Sequence, residues 1–301
     1  MGDTVRIIEM GARDGLQNEK TPVSVANRIA FIKKLLDAGL HTIEVGAFVS
    51  PKAIPQMVGS EEVLRAVNDL PGEFHVLVPN EKGYEVARAC GAKVVSVFAA
   101  ASEGFSRANI NCSIAESIER FKPVMERAKA DGVKVRGYVS TVLGCPFDGE
   151  IKPKAVAEVA KTLWDLGCYE ISLGDTIGVG TPTRAKAMLR AVGEHVPREK
   201  LAMHFHDTYG QALANLYAGM EEGVTVIDSA AGGLGGCPFA PGATGNVATE
   251  DVVYMLEGMG IKTGVDMPKL LAATNEITAL IGRTPVSRVA TALNAKKRAA
   301  R

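Results

Sequence analysis

The sequence predicts a (β/α)8 TIM barrel with additional C-terminal helices, and three observations carry that expectation. One join recurs along the chain, in "DAGLHTIEV", "ACGAKVVSV", "ADGVKVRGY", "DLGCYEISL" and "EEGVTVIDS", where a helix-like stretch reaches a glycine and a short apolar run begins. With three further runs that lack the glycine, candidate strands begin near Val5, His41, Phe74, Lys93, Lys134, Cys168, Leu201 and Val224. These eight starts lie roughly 31 residues apart, the size of one strand-plus-helix unit. The runs are largely apolar rather than strictly alternating, as parallel strands covered on both faces are. An open, doubly wound sheet can be drawn through the same strands, but eight units favour closure.

Each element has its own local signal. Gly39, Gly91, Gly132, Gly167 and Gly223 read as residues just past a helix end, where a left-handed backbone is cheapest without a Cβ. Thr21-Pro22 and Thr181-Pro182 have the form of a helix start, a hydroxyl before a proline, and Ser113 to Glu116 has capping-box spacing. Pro123 falls inside the helix that follows and is expected to kink or break it. After strand eight come a helix from about Val247, another from about Pro268 to Ile281, and a basic tail, "ALNAKKRAAR", read as a solvated, frayed terminus. The whole is read as one catalytic domain, 1–301, with the barrel over about 4–260 and the extension over about 261–301.

Composition narrows the function. The 301 residues include 34 basic and 34 acidic groups and are 47% hydrophobic, the profile of a globular protein. Zero net charge offers no footprint for a nucleic acid. No apolar run approaches the roughly 18 residues of a membrane span, and the charged start lacks a signal peptide's apolar core. The expectation is therefore a cytoplasmic protein with a small-molecule partner. Of five scattered cysteines, Cys90, Cys112, Cys145 and Cys168 read as small apolar packers, whereas Cys237 sits among glycines.

In such barrels the chemistry lies at the C-terminal ends of the strands, and five polar signals fall there. In "LAMHFHDTYG", strand alternation points His204 and His206 the same way, either as half a metal site or as a hydrogen-bonded core pair. Their place at a strand end favours the ligand reading. In "EMGARDGLQNEK", Asp14 offers a hard oxygen ligand and Arg13 a planar cation, although Asp-Gly is also a common turn. In "HTIEVGAF", Thr42, Glu44 and Gly46 are expected to point inward, and Glu44 must pair with a cation such as Arg13 or hold water near a metal. "ISLGDTIGVG" places Ser172 and Asp175 at a strand end, Asp175 as an acid–base group, a holder of a neighbour or an ordinary loop aspartate. Last, "GGLGGCPFAPGATGN" fits neither a Walker loop nor a dinucleotide fingerprint. It reads as a lid carrying Cys237, mobile without substrate but anchored at Asn246.

Taken in order, "ARDGLQNEK", "HFHDTYG" and "GGLGGCPFAPGATGN" resemble the 3-hydroxy-3-methylglutaryl-CoA lyase family across nearly all of residues 4–282. The first two elements are shared with related acyl-CoA Claisen condensing enzymes, and the cysteine-bearing glycine loop singles out the lyases. The resemblance implies that Asp14, His204, His206 and Asn246 ligate a divalent metal, Mg²⁺ or Mn²⁺ ahead of Zn²⁺. It implies Arg13 and Ser172 as substrate-binding residues, and Cys237, Arg13, Asp175 and Glu44 as the catalytic set. The implied reaction is retro-Claisen cleavage to acetyl-CoA and acetoacetate, as in leucine catabolism, by a homodimer. The alternatives are a lyase for a longer 3-hydroxyglutaryl-CoA analogue, a condensing transferase of the same superfamily, and a non-catalytic barrel. Phe239 after Cys-Pro departs from the tyrosine of many members, and the organelle leader and C-terminal cysteine tail of some relatives are not seen.

Overall fold

A computed structural model describes residues 4–236 and 245–299. Its eight strands are β1 (Arg6–Glu9), β2 (Thr42–Ala47), β3 (Glu73–Leu77), β4 (Val94–Ala100), β5 (Lys134–Ser140), β6 (Glu170–Asp175), β7 (Leu201–Phe205) and β8 (Val226–Ser229). All neighbours pair in parallel and in chain order, and β1 closes on β8 through Arg6 with Val226 to Glu9 with Ser229. Helices α1 (Val25–Asp37), α2 (Ser60–Val67), α3 (Glu81–Ala89), α4 (Glu103–Ile110), α5 (Ile114–Asp131), α6 (Pro153–Asp165), α7 (Pro182–Val192) and α8 (Ala212–Glu221) fall between the strands. They are followed by α9 (Thr249–Gly258), α10 (Met267–Leu280) and α11 (Arg288–Ala299). The expected strand starts lie within two residues of the observed ones.

The recurrent glycine does what its position demands. Gly39, Gly91, Gly132, Gly167 and Gly223 all have positive φ, between +68° and +104°. At Gly39 a Cβ would also come within 2.3 Å of the Gly264 carbonyl, so the αβ join and the chain before α10 meet only through a glycine. Between the sheet and the helices one hydrophobic core runs from Val5 to Ile281. No helix among the described residues is long and apolar enough to cross a membrane.

Four expectations are corrected. Helix α1 does not start at Thr21-Pro22 but three residues on, where the Ser24 hydroxyl accepts the Asn27 N–H. Pro123 does not break α5, which runs unbroken for 18 residues from a complete Ser113–Glu116 capping box. An internal proline costs about 3 kcal/mol, and burial of Phe121 and Val124 on either side offsets it at about 1.5–3 kcal/mol each. The tail is helical to Ala299: Ser287 donates to Asp251 at 2.7 Å, and Asn294 and Asn275 exchange amide bonds at 2.7 and 2.9 Å, which dock α11. Finally, Gly46 does not face the barrel interior, because the β2–β3 register shifts between Glu44 and Gly46. A Cβ on Gly46 would meet Ser60 and Arg28 of the helix layer.

Candidate active site

The chain leaves β1 in a tight π-helical turn, Gly11–Gly15, stitched by Arg13 N–H and Gly15 N–H donating to the Met10 carbonyl at 3.2 and 3.1 Å. The "RDG" stretch is thus a helical turn packed into the barrel mouth, and it buries the Arg13 side chain. Arg13 Nε donates to Glu44 and Nη1 to Asp14 at 2.9 Å. Burial by itself would lower the guanidinium, but Glu44 and Asp14 hold it above its ordinary range, so it is a permanent cation.

Opposite, β7 delivers the two imidazoles. Their ring centroids are 5.5 Å apart, and ligand atoms of Asp14, His204 and His206 lie within 4.8 Å of one another. His204 Nδ1 lies 3.2 Å from Asp228, leaving Nε2 toward Asp14 at 3.8 Å. Asn246 returns from the glycine-rich segment and donates from Nδ2 to Asp14 at 2.7 Å and to the Leu234 carbonyl at 3.2 Å. This approach requires Gly235, whose φ is +124° and whose Cβ would sit 2.8 Å from the Asn246 amide nitrogen.

Electrostatics prepare these groups to bind a cation. Burial pushes Asp14 up, but Arg13, both histidines and Asn246 outweigh it and hold the carboxyl down to about 2. Burial lowers His206 to about 4, aided by repulsion from His204, so its imidazole is neutral. Among the described residues, two buried atoms, His206 Nδ1 and Asn246 Oδ1, have no hydrogen-bond partner. One carboxylate, two imidazoles and a free amide oxygen form a donor set that fits a divalent metal. The same mouth opens on a cavity of about 440 Å³, lined by Arg13, Asp14, His204 and His206 and, among other residues, by the apolar side chains of Val49, Ile54, Leu77, Phe98 and Phe105.

Behind this face lies a charged network that the sequence reading missed. Arg136, on β5, grips Asp228 with two bonds at 2.9 and 2.8 Å and donates from Nε to Glu170 at 2.7 Å. Its Nη1 also donates to the Tyr138 hydroxyl, which donates to Glu44 at 3.1 Å. Burial raises Asp228, yet Arg136 and His204 hold it well below the usual carboxylate range. It is an anion that orients His204 from behind, the usual partner of a metal-binding imidazole. The sequence signal is the spacing of Arg136 and Tyr138, two residues apart on one strand; that His204 and Asp228 are register partners is visible only in the folded barrel.

Two expected site residues lie elsewhere. Ser172 points into the barrel interior and donates to Asp228 at 2.8 Å, beneath the cavity rather than in its wall. Gly174 and Thr176 line the cavity, but Asp175 between them turns away; its carboxylate accepts the N–H groups of Val179 and Gly180 at 3.2 and 2.8 Å. Asp175 therefore shapes its own loop, and burial raises it to about 6. Glu44 takes the ion-pair alternative with Arg13. Cys237 lies outside the described residues.

A closed barrel with a candidate metal site and a fixed cation at its C-terminal mouth is the architecture of a barrel enzyme. Residues 4–277 match the family model described as HMGL-like, and the chain belongs to that family. It is 58% identical over 293 residues to the 3-hydroxy-3-isohexenylglutaryl-CoA/hydroxy-methylglutaryl-CoA lyase of Pseudomonas aeruginosa, covering 97% of this chain and 98% of that one. It is 56% identical to the mitochondrial hydroxymethylglutaryl-CoA lyase of Macaca fascicularis, over 96% of this chain and 89% of the relative. The crystal structure of hydroxymethylglutaryl-CoA lyase from Pseudomonas aeruginosa superposes with a TM-score of 0.96 at 56% identity, covering 98% and 99% of the two chains.

Proposed function

We propose that this protein is a divalent-metal-dependent carbon–carbon lyase that cleaves 3-hydroxy-3-methylglutaryl-CoA to acetyl-CoA and acetoacetate. The observation that carries the reading is the meeting of Asp14, His204, His206 and the partnerless Asn246 Oδ1 beside Arg13 at a substrate-sized cavity. The hard oxygens of Asp14 and Asn246 favour Mg²⁺ or Mn²⁺ over Zn²⁺. When bound, the cation would supply positive charge that eases loss of the substrate's tertiary hydroxyl proton, which a basic group held at the metal site takes up.

This chain's own residues do the rest. Arg13 presents its guanidinium to the thioester oxygen, where negative charge grows as the carbon–carbon bond breaks; one such donor contributes roughly 3 kcal/mol. Glu44 fixes the plane of that guanidinium through Nε, and Tyr138 holds Glu44 in turn. Cys237 is assigned, from the sequence, as the thiol that gives its proton to the enolate carbon. Asp175 is assigned to holding the loop after β6. The reading extends to a cytoplasmic homodimer, tested by fractionation and light scattering.

Incubating the protein with 3-hydroxy-3-methylglutaryl-CoA and Mg²⁺ should release acetoacetate and acetyl-CoA in equal amounts, and no acetoacetate would overturn the reading. A second substrate is favoured by the apolar wall of Val49, Ile54, Leu77, Phe98 and Phe105, which suits a longer 3-alkyl branch. The same assay with an isohexenyl branch measures it.

A further inference from the structure

Glu9 ends β1 with its carboxyl fully buried. Its Oε1 accepts two backbone N–H groups, from Gly11 at 2.7 Å and Ala231 at 2.9 Å, while Oε2 meets the Thr249 hydroxyl at 2.6 Å. Beside it, Glu250 in the first turn of α9 is equally buried, accepting the Gly232 N–H at 3.0 and 2.9 Å and the Thr274 hydroxyl. Glu9 and Glu250 are each other's charged neighbours; among the described residues no lysine, arginine or histidine bonds either one. Two buried carboxylates without a cation repel each other and are expensive to ionise. Burial pushes both up to about 7.

Three donors hold the Glu9 carboxyl in place. The two backbone N–H groups converge on Oε1, and among the described residues Oε2 accepts from the Thr249 hydroxyl, which lies 2.9 Å from the Ser229 hydroxyl.

The three groups that Glu9 ties together lead to one place. Gly11 opens the turn that carries Arg13 and Asp14. Ala231 opens the segment whose Leu234 carbonyl accepts from Asn246. Thr249 lies three residues past Asn246, whose side chain reaches Asp14. We propose that Glu9 is a positioning residue whose three accepted hydrogen bonds set the approach of Asp14 to Asn246 and thereby the affinity for the divalent cation. This rests on the metal reading above.

The test is Mn²⁺ binding to the chelator-stripped full chain, followed by calorimetry at pH 6 and pH 8.5. Failure of the parent protein to bind Mn²⁺ would overturn the metal reading and this inference with it. With the parent binding, Glu9→Gln, which keeps the acceptor for the Gly11 and Ala231 N–H groups, should bind within about threefold of the parent at both pH values. Glu9→Ala should bind 10- to 100-fold more weakly, the usual loss when a group behind a metal ligand is removed. Parental affinity in Glu9→Ala, or equal loss in Glu9→Gln and Glu9→Ala, would overturn the inference while leaving the metal site intact. If Glu9→Ala does not fold, Thr249→Val removes the hydroxyl that donates to Oε2; it should bind about tenfold more weakly, and unchanged binding would overturn the assignment.

Discussion

Two clusters of buried acids sit around the barrel mouth and behave oppositely. Around Arg13 and Arg136, the carboxylates Asp14, Glu44, Glu170 and Asp228 each have a guanidinium partner, and Asp14 and Asp228 are held below their ordinary range. A few residues away Glu9 and Glu250 have only backbone N–H groups and hydroxyls, and both are raised to about 7. Burial pushes Asp14, Asp228, Glu9 and Glu250 in the same direction, and the presence of a cation decides which way each ends. The paired cluster keeps charge in place to hold a metal and meet a substrate. The unpaired one is pushed toward its neutral form and works through shape.

The comparison breaks hardest at the metal. Asp14→Ala should abolish both turnover and Mn²⁺ binding, read by product release and calorimetry, while the far-ultraviolet circular dichroism stays unchanged. Arg13→Gln should lower kcat by about 10² to 10³ and leave Mn²⁺ affinity nearly intact, which steady-state kinetics and calorimetry separate. Asp228→Asn leaves Arg136 partly unpaired and His204 without its anion. Metal affinity should fall about 10- to 100-fold, and stability should fall by about 3 kcal/mol in a denaturant melt.

The unpaired cluster sets the sign of the pH response. The folded state holds Glu9 and Glu250 protonated to about pH 7, against 4.5 ordinarily. Their contribution is therefore full below about pH 4.5 and is lost as pH rises through 7. Glu250→Gln should flatten the fall in melting temperature between pH 5 and 8, and an unchanged slope would assign the response to other groups. Smallest of all, Ser113→Ala lies outside both clusters and should cost about 1 kcal/mol through the lost α5 cap, with kcat unchanged.

Much of this was legible along the chain because the signals are local. Glycines after helices, apolar runs and a capping box each act over a few residues, and they placed all eight strands within two residues. His204 and His206 were legible together because strand alternation settles their shared direction. Local signals failed where a neighbour in space outweighed them. Ser24 displaced Thr21 as the start of α1, core packing carried α5 through Pro123, and the contact of Asn275 with Asn294 kept the basic tail helical. Ser172 and Asp175 stood at the expected strand end, but one faces the interior and the other its own loop.

The sequence by itself determined the order and number of strand–helix units and the supply of acids, imidazoles and guanidiniums at the strand ends, since periodicity and turn chemistry are written in adjacent residues. Only the tertiary structure decided which carboxylate met a cation and which did not. Glu44 reaches Arg13 in the turn after β1 and Asp228 reaches Arg136 on β5, 31 and 92 residues away, whereas Glu9 reaches the N–H of Ala231, 222 residues on, and meets no cation among the described residues. Those contacts, invisible in any short stretch of chain, give one buried acid a cation and leave the other without one.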